Sequence, residues 1–324
     1  MLSRNLDTIR DNPKWMPHRL LLQKSEVEFV RMPASQFGKA GFLFEYQPAE
    51  PADTLRIALG SLSALSVPRA PMHFIFHTAF CRSTLLVRAL NIPGVATGFS
   101  EPPILADLTS AGKDGVPFIQ PLLHLLARAW PEGGTIFVKP TNHANRLIPQ
   151  LLDAVPDARA ILMTNPIEPF LRSVRKRGLM GHRWGRKLYL ELQGYAGMDF
   201  GMPPEEVFAM TDLQAAGAAW LLNQRYFTEL ASSRFSDRLK VLDGDYFDEN
   251  RAKTIDAVLA FCGAAPAHEL LQYKVFSAHA KSGKPIEKQG EDEIGVEEIV
   301  QVKQWVEMIA GQIGLTVPTA QTLL

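Results

Sequence analysis

Between residues 73 and 86 the chain reads His-Phe-Ile-Phe-His-Thr-Ala-Phe-Cys-Arg-Ser-Thr-Leu-Leu. A short apolar run enters a loop, and the end of that loop, Arg82-Ser83-Thr84, opens a helical pattern. Backbone N–H groups and hydroxyls at a helix start are good partners for phosphate. An arginine there adds a permanent charge and several donors. The same residues also serve an ordinary helix start, with Ser83 as cap and Arg82 in solvent. A second run, Thr135-Ile-Phe-Val-Lys139, ends in a lysine. At the carboxyl end of a parallel strand, Lys139 would face the crevice where open α/β sheets hold ligands; a surface lysine is the alternative. His143 and Asn145 follow it in a loop, where Asn often makes local turns.

The third signal is electrostatic. No acid occurs between Glu168 and Glu191, a window holding Arg172, Arg175, Lys176, Arg177, Arg183, Arg186 and Lys187. Such a cluster would attract a multiply charged small ligand, and Ser173 adds a hydroxyl donor. A solvated helix face would account for Lys176 and Lys187 as well.

Local clustering matters because the whole chain is neutral. Its 324 residues carry 34 Lys plus Arg against 34 Asp plus Glu. That balance argues against a protein that coats nucleic acid or an anionic membrane. Apolar residues at 46% and charged residues at 21% are ordinary globular values. Two cysteines, Cys81 and Cys262, cannot make a disulfide framework, and no Cys/His spacing suits a metal. Met1 to Trp15 is polar, and no apolar run approaches the roughly 20 residues of a membrane span. A cytoplasmic protein is expected; oligomeric state is left open.

The elements that must position these residues follow from periodicity. Residues 1–70 read as an N-terminal extension, with short strands around Val27–Phe29 and Phe42–Tyr46 and a helix over Asp53–Ser66. From Met72 onward strand, loop and helix alternate. Strands are expected at His73–His77, Thr135–Lys139, Ala158–Met163 and Leu239–Leu242, and helices at Ser83–Leu90, Asn145–Ala154, Pro166–Arg177, Thr211–Ser232, Thr254–Cys262 and Val296–Ile313. Fully apolar short strands between helices predict an α/β fold, a three-layer parallel sheet flanked by helices. Residues 178–201 contain six glycines and read as an irregular flap, extending to about 210. No linker separates two cores, so a single domain over 1–324 is expected.

In order and spacing, five segments over residues 72–263 resemble the sulfotransferase superfamily, whose fold is P-loop NTPase-like. Phe80-Cys-Arg-Ser-Thr-Leu-Leu86 is similar to the family's 5′-phosphosulfate loop. Ser100-Glu-Pro-Pro-Ile-Leu105 resembles its Glu-Pro segment, and Val138-Lys139 the strand whose lysine reaches the sulfate. Ala160 to Ser173 resembles the 3′-phosphate segment, and Val241 to Asn250 with Ile255 to Gly263 the late strand and helix. The resemblance implies 3′-phosphoadenosine 5′-phosphosulfate as co-substrate, without metal, and sulfuryl transfer to a hydroxyl or amine of a small acceptor. It implies that Phe80, Cys81, Arg82, Ser83 and Thr84 hold the 5′-phosphosulfate, with Arg172, Ser173 and Arg175 at the 3′-phosphate. Lys139 would stabilise the leaving oxygen, and Glu101, or else His143, would be the general base. Lys281-Ser-Gly-Lys284 resembles the basic loop that closes over the nucleotide.

Two departures stand out. The loop has no glycine, none occurring between Gly60 and Gly94, so it is expected to keep ordinary backbone angles. Thr164-Asn165 stands where the family has arginine. They favour one alternative, a catalytically silent relative that binds a nucleotide or partner; a nucleotide-dependent kinase of P-loop type is the other, and it fares worse because the chain has no Gly-Lys-Ser/Thr and no clear acidic strand end for magnesium.

Overall fold

The computed structural model describes residues 2–39, 41–65, 67–128, 134–198, 200–265, 275–276, 295–315 and 323. In chain order the elements are α1 (Leu2–Asp11), β1 (Trp15–Leu21), β2 (Glu26–Arg31), β3 (Thr54–Ala58), β4 (Met72–His77), α2 (Ser83–Ala89), β5 (Ala96–Ser100), α3 (Pro103–Ala111) and α4 (Val116–Leu126). Then come β6 (Thr135–Lys139), α5 (Ile148–Ala154), β7 (Ala160–Thr164), α6 (Ile167–Lys176), α7 (Gly178–Gln193), α8 (Pro204–Ala209), α9 (Asp212–Ala231), β8 (Leu239–Asp243), α10 (Gly244–Glu249), α11 (Arg251–Phe261) and α12 (Val296–Gln312). Five strands form one sheet in the order β5-β6-β4-β7-β8 with helices around it; the sequence predicts this α/β class and four of the strands, and β5 is an addition to them. Every residue of β4, β6 and β7 is buried. Strands covered on both faces are largely apolar, which is why they were legible.

The residues group into two compact units. One holds Met1–Phe76, Ser83–Ala160 and Arg251–Ile286. Within it β1, β2 and β3 make a small antiparallel sheet, with Val27 opposite Ile57. The stretch expected as a helix at 53–66 is therefore β3 followed by a 3-10 turn over Leu59–Ala64. Pairing with β2 overrides its local helical pattern. The expected strand at Phe42–Tyr46 is also absent. A 3-10 turn spans Leu43–Glu45, Glu45 accepts from the Phe42 N–H, and Phe42 stacks on Phe44 at 5.2 Å. Buried Arg128 donates to the carbonyls of Ile9 and Trp15, and Asp107 of α3 takes Arg19 at 2.8 Å, so the N-terminal region is built into this unit.

The other unit holds His77–Arg82, Ile161–Asn250 and Glu287–Leu324. Its core packs Phe170, Leu171 and Val174 of α6 against Leu213, Ala216 and Leu221 of α9 and Val302 and Val306 of α12. Residues 178–193, expected as irregular, are helix α7. The glycines there serve close packing: a Cβ at Gly185 would fall 2.9 Å from Cβ of Ala216. No described helix is long and apolar enough to cross a membrane.

Candidate functional site

The loop after β4 departs from ordinary backbone. Ala79, Phe80 and Arg82 have φ of 72°, 56° and 62°. The absence of glycine therefore does not keep the loop in common conformations; it takes the left-handed region without glycine's freedom, at about 1 kcal/mol or more per residue. Surrounding contacts hold it there. The Thr78 N–H donates to Met163 O at 3.0 Å, and the Ala79 N–H donates to His77 Nδ1 at 3.1 Å. Phe80 lies 5.8 Å from Phe170 and 5.1 Å from Trp184, with the Arg177 guanidinium 4.7 Å over its ring. Cys81 is fully buried, and a Cβ at Gly244 would lie 2.5 Å from Cys81 O, so only glycine fits the start of α10.

Arg82 does not stand free in solvent. It pairs with Asp245 and, at 3.0 Å, with Asp248, both on α10. Asp243 holds that helix start by accepting from the Asp245 and Tyr246 N–H groups at 2.8 and 2.9 Å. Beyond the loop, Ser83 and Thr84 are buried at the first turn of α2.

The end of β7 carries Thr164 and Asn165, and the carboxylates of Asp243 and Glu307 line a cavity beside it. The Asn165 side-chain oxygen accepts from the Thr78 hydroxyl at 3.3 Å, and its main-chain carbonyl accepts the Trp220 indole N–H at 2.9 Å. A mostly apolar cavity of about 420 Å³ opens here, lined by Asn165, Trp220, Gln224, Asp243 and Val306 among others. Buried Asn165 Nδ2 has no hydrogen-bond partner among the described residues. Trp220, Gln224 and Val306 sit on helices whose repeat looked purely structural, and sequence reasoning missed them.

Of the 3′-phosphate candidates on α6, the Ser173 hydroxyl donates to Pro169 O at 2.8 Å. Arg172 is half-buried. The Arg175 guanidinium lies against Gly295, where a Cβ would come 2.2 Å from its Cζ. The basic window finds balancing acids outside its own sequence: Asp212 of α9 pairs with Arg186 and stands 3.3 Å from His182. Lys281 and Lys284 lie outside the described residues. Among the described residues no group of His, Cys, Asp and Glu comes together to hold a metal.

In the first unit, Lys139 and Glu101 meet. The Lys139 side chain is 1% exposed and its ammonium bonds the Glu101 carboxylate, itself 15% exposed. β5 and β6 are parallel neighbours with Ser100 opposite Lys139, which sets the two ends side by side. The Glu101 N–H donates to Lys139 O at 2.7 Å while Glu101 takes a left-handed φ of 52°. The Lys139 ammonium also lies 5.3 Å over the Phe42 ring. His143, the other candidate base, is half-buried in the 3-10 turn over Asn142–Leu147. An ammonium and a carboxylate in low dielectric interact strongly, and together they can shuttle a proton or neutralise a developing oxyanion.

No family model matches the sequence. No curated protein matches it either. Several solved structures are similar to this chain, three sulfotransferase structures among them. The sulfotransferase domain from the curacin biosynthetic pathway shares 12% identity, covering 78% of this chain and 100% of its own, with a TM-score of 0.42. The sulfotransferase from Alicyclobacillus acidocaldarius shares 15% identity over 78% of this chain and 98% of its own, at 0.41. The sulfotransferase domain from the Synechococcus PCC 7002 olefin synthase shares 11% identity over 78% and 98%, at 0.39.

Proposed function

We propose that the protein binds 3′-phosphoadenosine 5′-phosphosulfate and transfers its sulfuryl group to a hydroxyl or amine of a small acceptor. The observation that carries this is the loop of Ala79, Phe80 and Arg82, whose strained backbone persists where glycine would be cheaper. Strain of this kind is kept at anion cradles and other working sites. The loop with Ser83 and Thr84 is assigned the 5′-phosphosulfate. The cavity at Asn165 and Trp220 has the size and apolar lining for a nucleobase, and Asn165 and Gln224 carry amides to meet its edge. Arg172, Ser173 and Arg175 are assigned the 3′-phosphate.

In the transfer, the acceptor oxygen or nitrogen forms a bond to sulfur as the bond from sulfur to the bridging oxygen breaks. Glu101 takes the acceptor proton, and Lys139 offsets the negative charge gathering on the leaving oxygen. Their mutual contact supports Glu101 over His143 as base. A positioned general base of this type contributes about 10²–10⁴-fold.

The engagement of Arg82 by Asp245 and Asp248 favours a second reading, a catalytically silent relative in which that charge is structural. Calorimetric titration separates the two. The proposal expects selective binding of 3′-phosphoadenosine 5′-phosphate over ATP with magnesium, weakened at least tenfold by Arg82→Ala and tightened by joint Asp245→Asn and Asp248→Asn. Binding of neither nucleotide removes the transferase reading, and magnesium-dependent ATP binding and turnover would select a kinase.

A further inference from the structure

Helix α7, in the second unit, has apolar residues on two opposite sides. Leu188, Tyr189 and Leu192 make its buried side. At 3.6 residues per turn, Leu179, Met180, Arg183, Lys187 and Leu190 share an arc of about 100° on the other side. All five are exposed, with Leu179, Met180 and Leu190 at 71%, 72% and 63%. A helix lying on a core needs one apolar stripe, and three large apolar side chains gathered on the solvent side mark a surface that meets something else.

The charges on that arc say what covers it. Arg183 has no ion-pair partner among the described residues, and Lys187, 69% exposed, stands 3.6 Å from Glu191 at the edge of the arc. Exposed Lys176 and Arg177 extend the positive charge to the turn before the helix, and no acid occurs from residue 169 to residue 190. Arg186 and His182 engage Asp212 instead. Apolar side chains interleaved with long cationic ones suit a lipid–water boundary, where the first enter the acyl edge and the second reach headgroup phosphates. An acidic protein would satisfy the cations but would need a pocket for each separate apolar side chain. The neutral chain feels no long-range pull, whereas within a Debye length of the surface the local cluster decides. We propose that α7 is an interfacial helix that docks the protein, lying flat, on an anionic lipid surface.

Vesicle co-sedimentation tests this, with phosphatidylcholine alone and with about one-third phosphatidylserine added, at roughly 0.1 M salt. Wild type is expected to bind the mixed vesicles at least about tenfold better than the neutral ones. Joint Leu179→Gln, Met180→Gln and Leu190→Gln should weaken that binding at least about tenfold, as should joint Arg183→Gln and Lys187→Gln. Both variants should melt with wild type, because every changed side chain is exposed. Leu179→Trp gives a second readout, its emission moving to the blue on mixed vesicles and staying put with soluble poly-glutamate. No binding of wild type to the mixed vesicles, equal binding to neutral ones, or no emission shift would overturn the proposal. Full binding by the apolar variant would overturn it too, and tight capture of poly-glutamate by that variant would put an acidic protein on this face. Neither nucleotide nor acceptor is present, so the outcome stands apart from the transferase reading.

Discussion

The loop after β4 and the ends of β5 and β6 hold their reactive groups in different ways. In the loop, residues with side chains adopt left-handed angles, and the charge of Arg82 is shared by Asp245 and Asp248, all three about one-third exposed. At the strand ends, Lys139 is almost wholly buried and its charge is met by Glu101. The first arrangement stores its cost in backbone angles; the second stores it in desolvation. Backbone strain can be relieved by one smaller side chain, whereas a desolvated charge cannot lose its partner without a large penalty.

That contrast can be broken by urea unfolding. Glu101→Gln should cost about 3–5 kcal/mol, because it takes the carboxylate away from the buried Lys139 ammonium. Lys139→Met made together with Glu101→Gln should recover most of that loss. If the single change costs under about 1 kcal/mol, the pair is not held by desolvation, and the two regions are alike.

Acid sharpens the same distinction. His73, on β4 in the unit that holds the pair, accepts from the Arg159 N–H at 3.0 Å, and burial pushes its pKa down to about 4. The folded state thus favours the neutral imidazole. The stability this brings is present above the unfolded value near 6.5 and is lost as pH falls toward 4. About 3 kcal/mol should disappear across that window, and His73→Asn should flatten the slope. An unchanged slope in the variant would move the acid response to other groups.

The smallest effect belongs to the loop. Ala79→Gly should raise stability by up to about 1 kcal/mol and Ala79→Val should lower it, since φ of 72° favours glycine and disfavours β-branching. The stabilised Gly variant should bind 3′-phosphoadenosine 5′-phosphate more weakly, because the open loop is no longer held in shape. Thermal melts with and without nucleotide check both directions.

Much of the sheet was legible because β4, β6, β7 and most of β8 are buried and therefore read as apolar runs. β5 was not, since Ala96-Thr-Gly-Phe-Ser100 is short, polar in places and interrupted by glycine. Helix α7 was hidden by the same residue type: Gly185 signals a break in isolation and a close approach to Ala216 once α9 is beside it. At the site, the candidates Glu101 and Lys139 could be picked out by type and position, and the structure brings them together. The partners of Arg82 could not, because Asp245 and Asp248 are 163 and 166 residues away in sequence and look like an ordinary acidic helix start. Loop strain was equally hidden, since backbone angles imposed by distant packing leave no trace in local composition.

Cys81 gives the strained loop a clock of its own. It is fully buried, with its backbone pressed on Gly244. A thiol reagent can reach it only when the segment between β4 and α2 lets go. The other thiol, Cys262, is buried at the end of α11 and has its pKa pushed up to about 12, so its reactive thiolate is scarce. Alkylation of the native chain therefore times the opening of the loop, and any small molecule that settles there will slow the reaction without a label having been added.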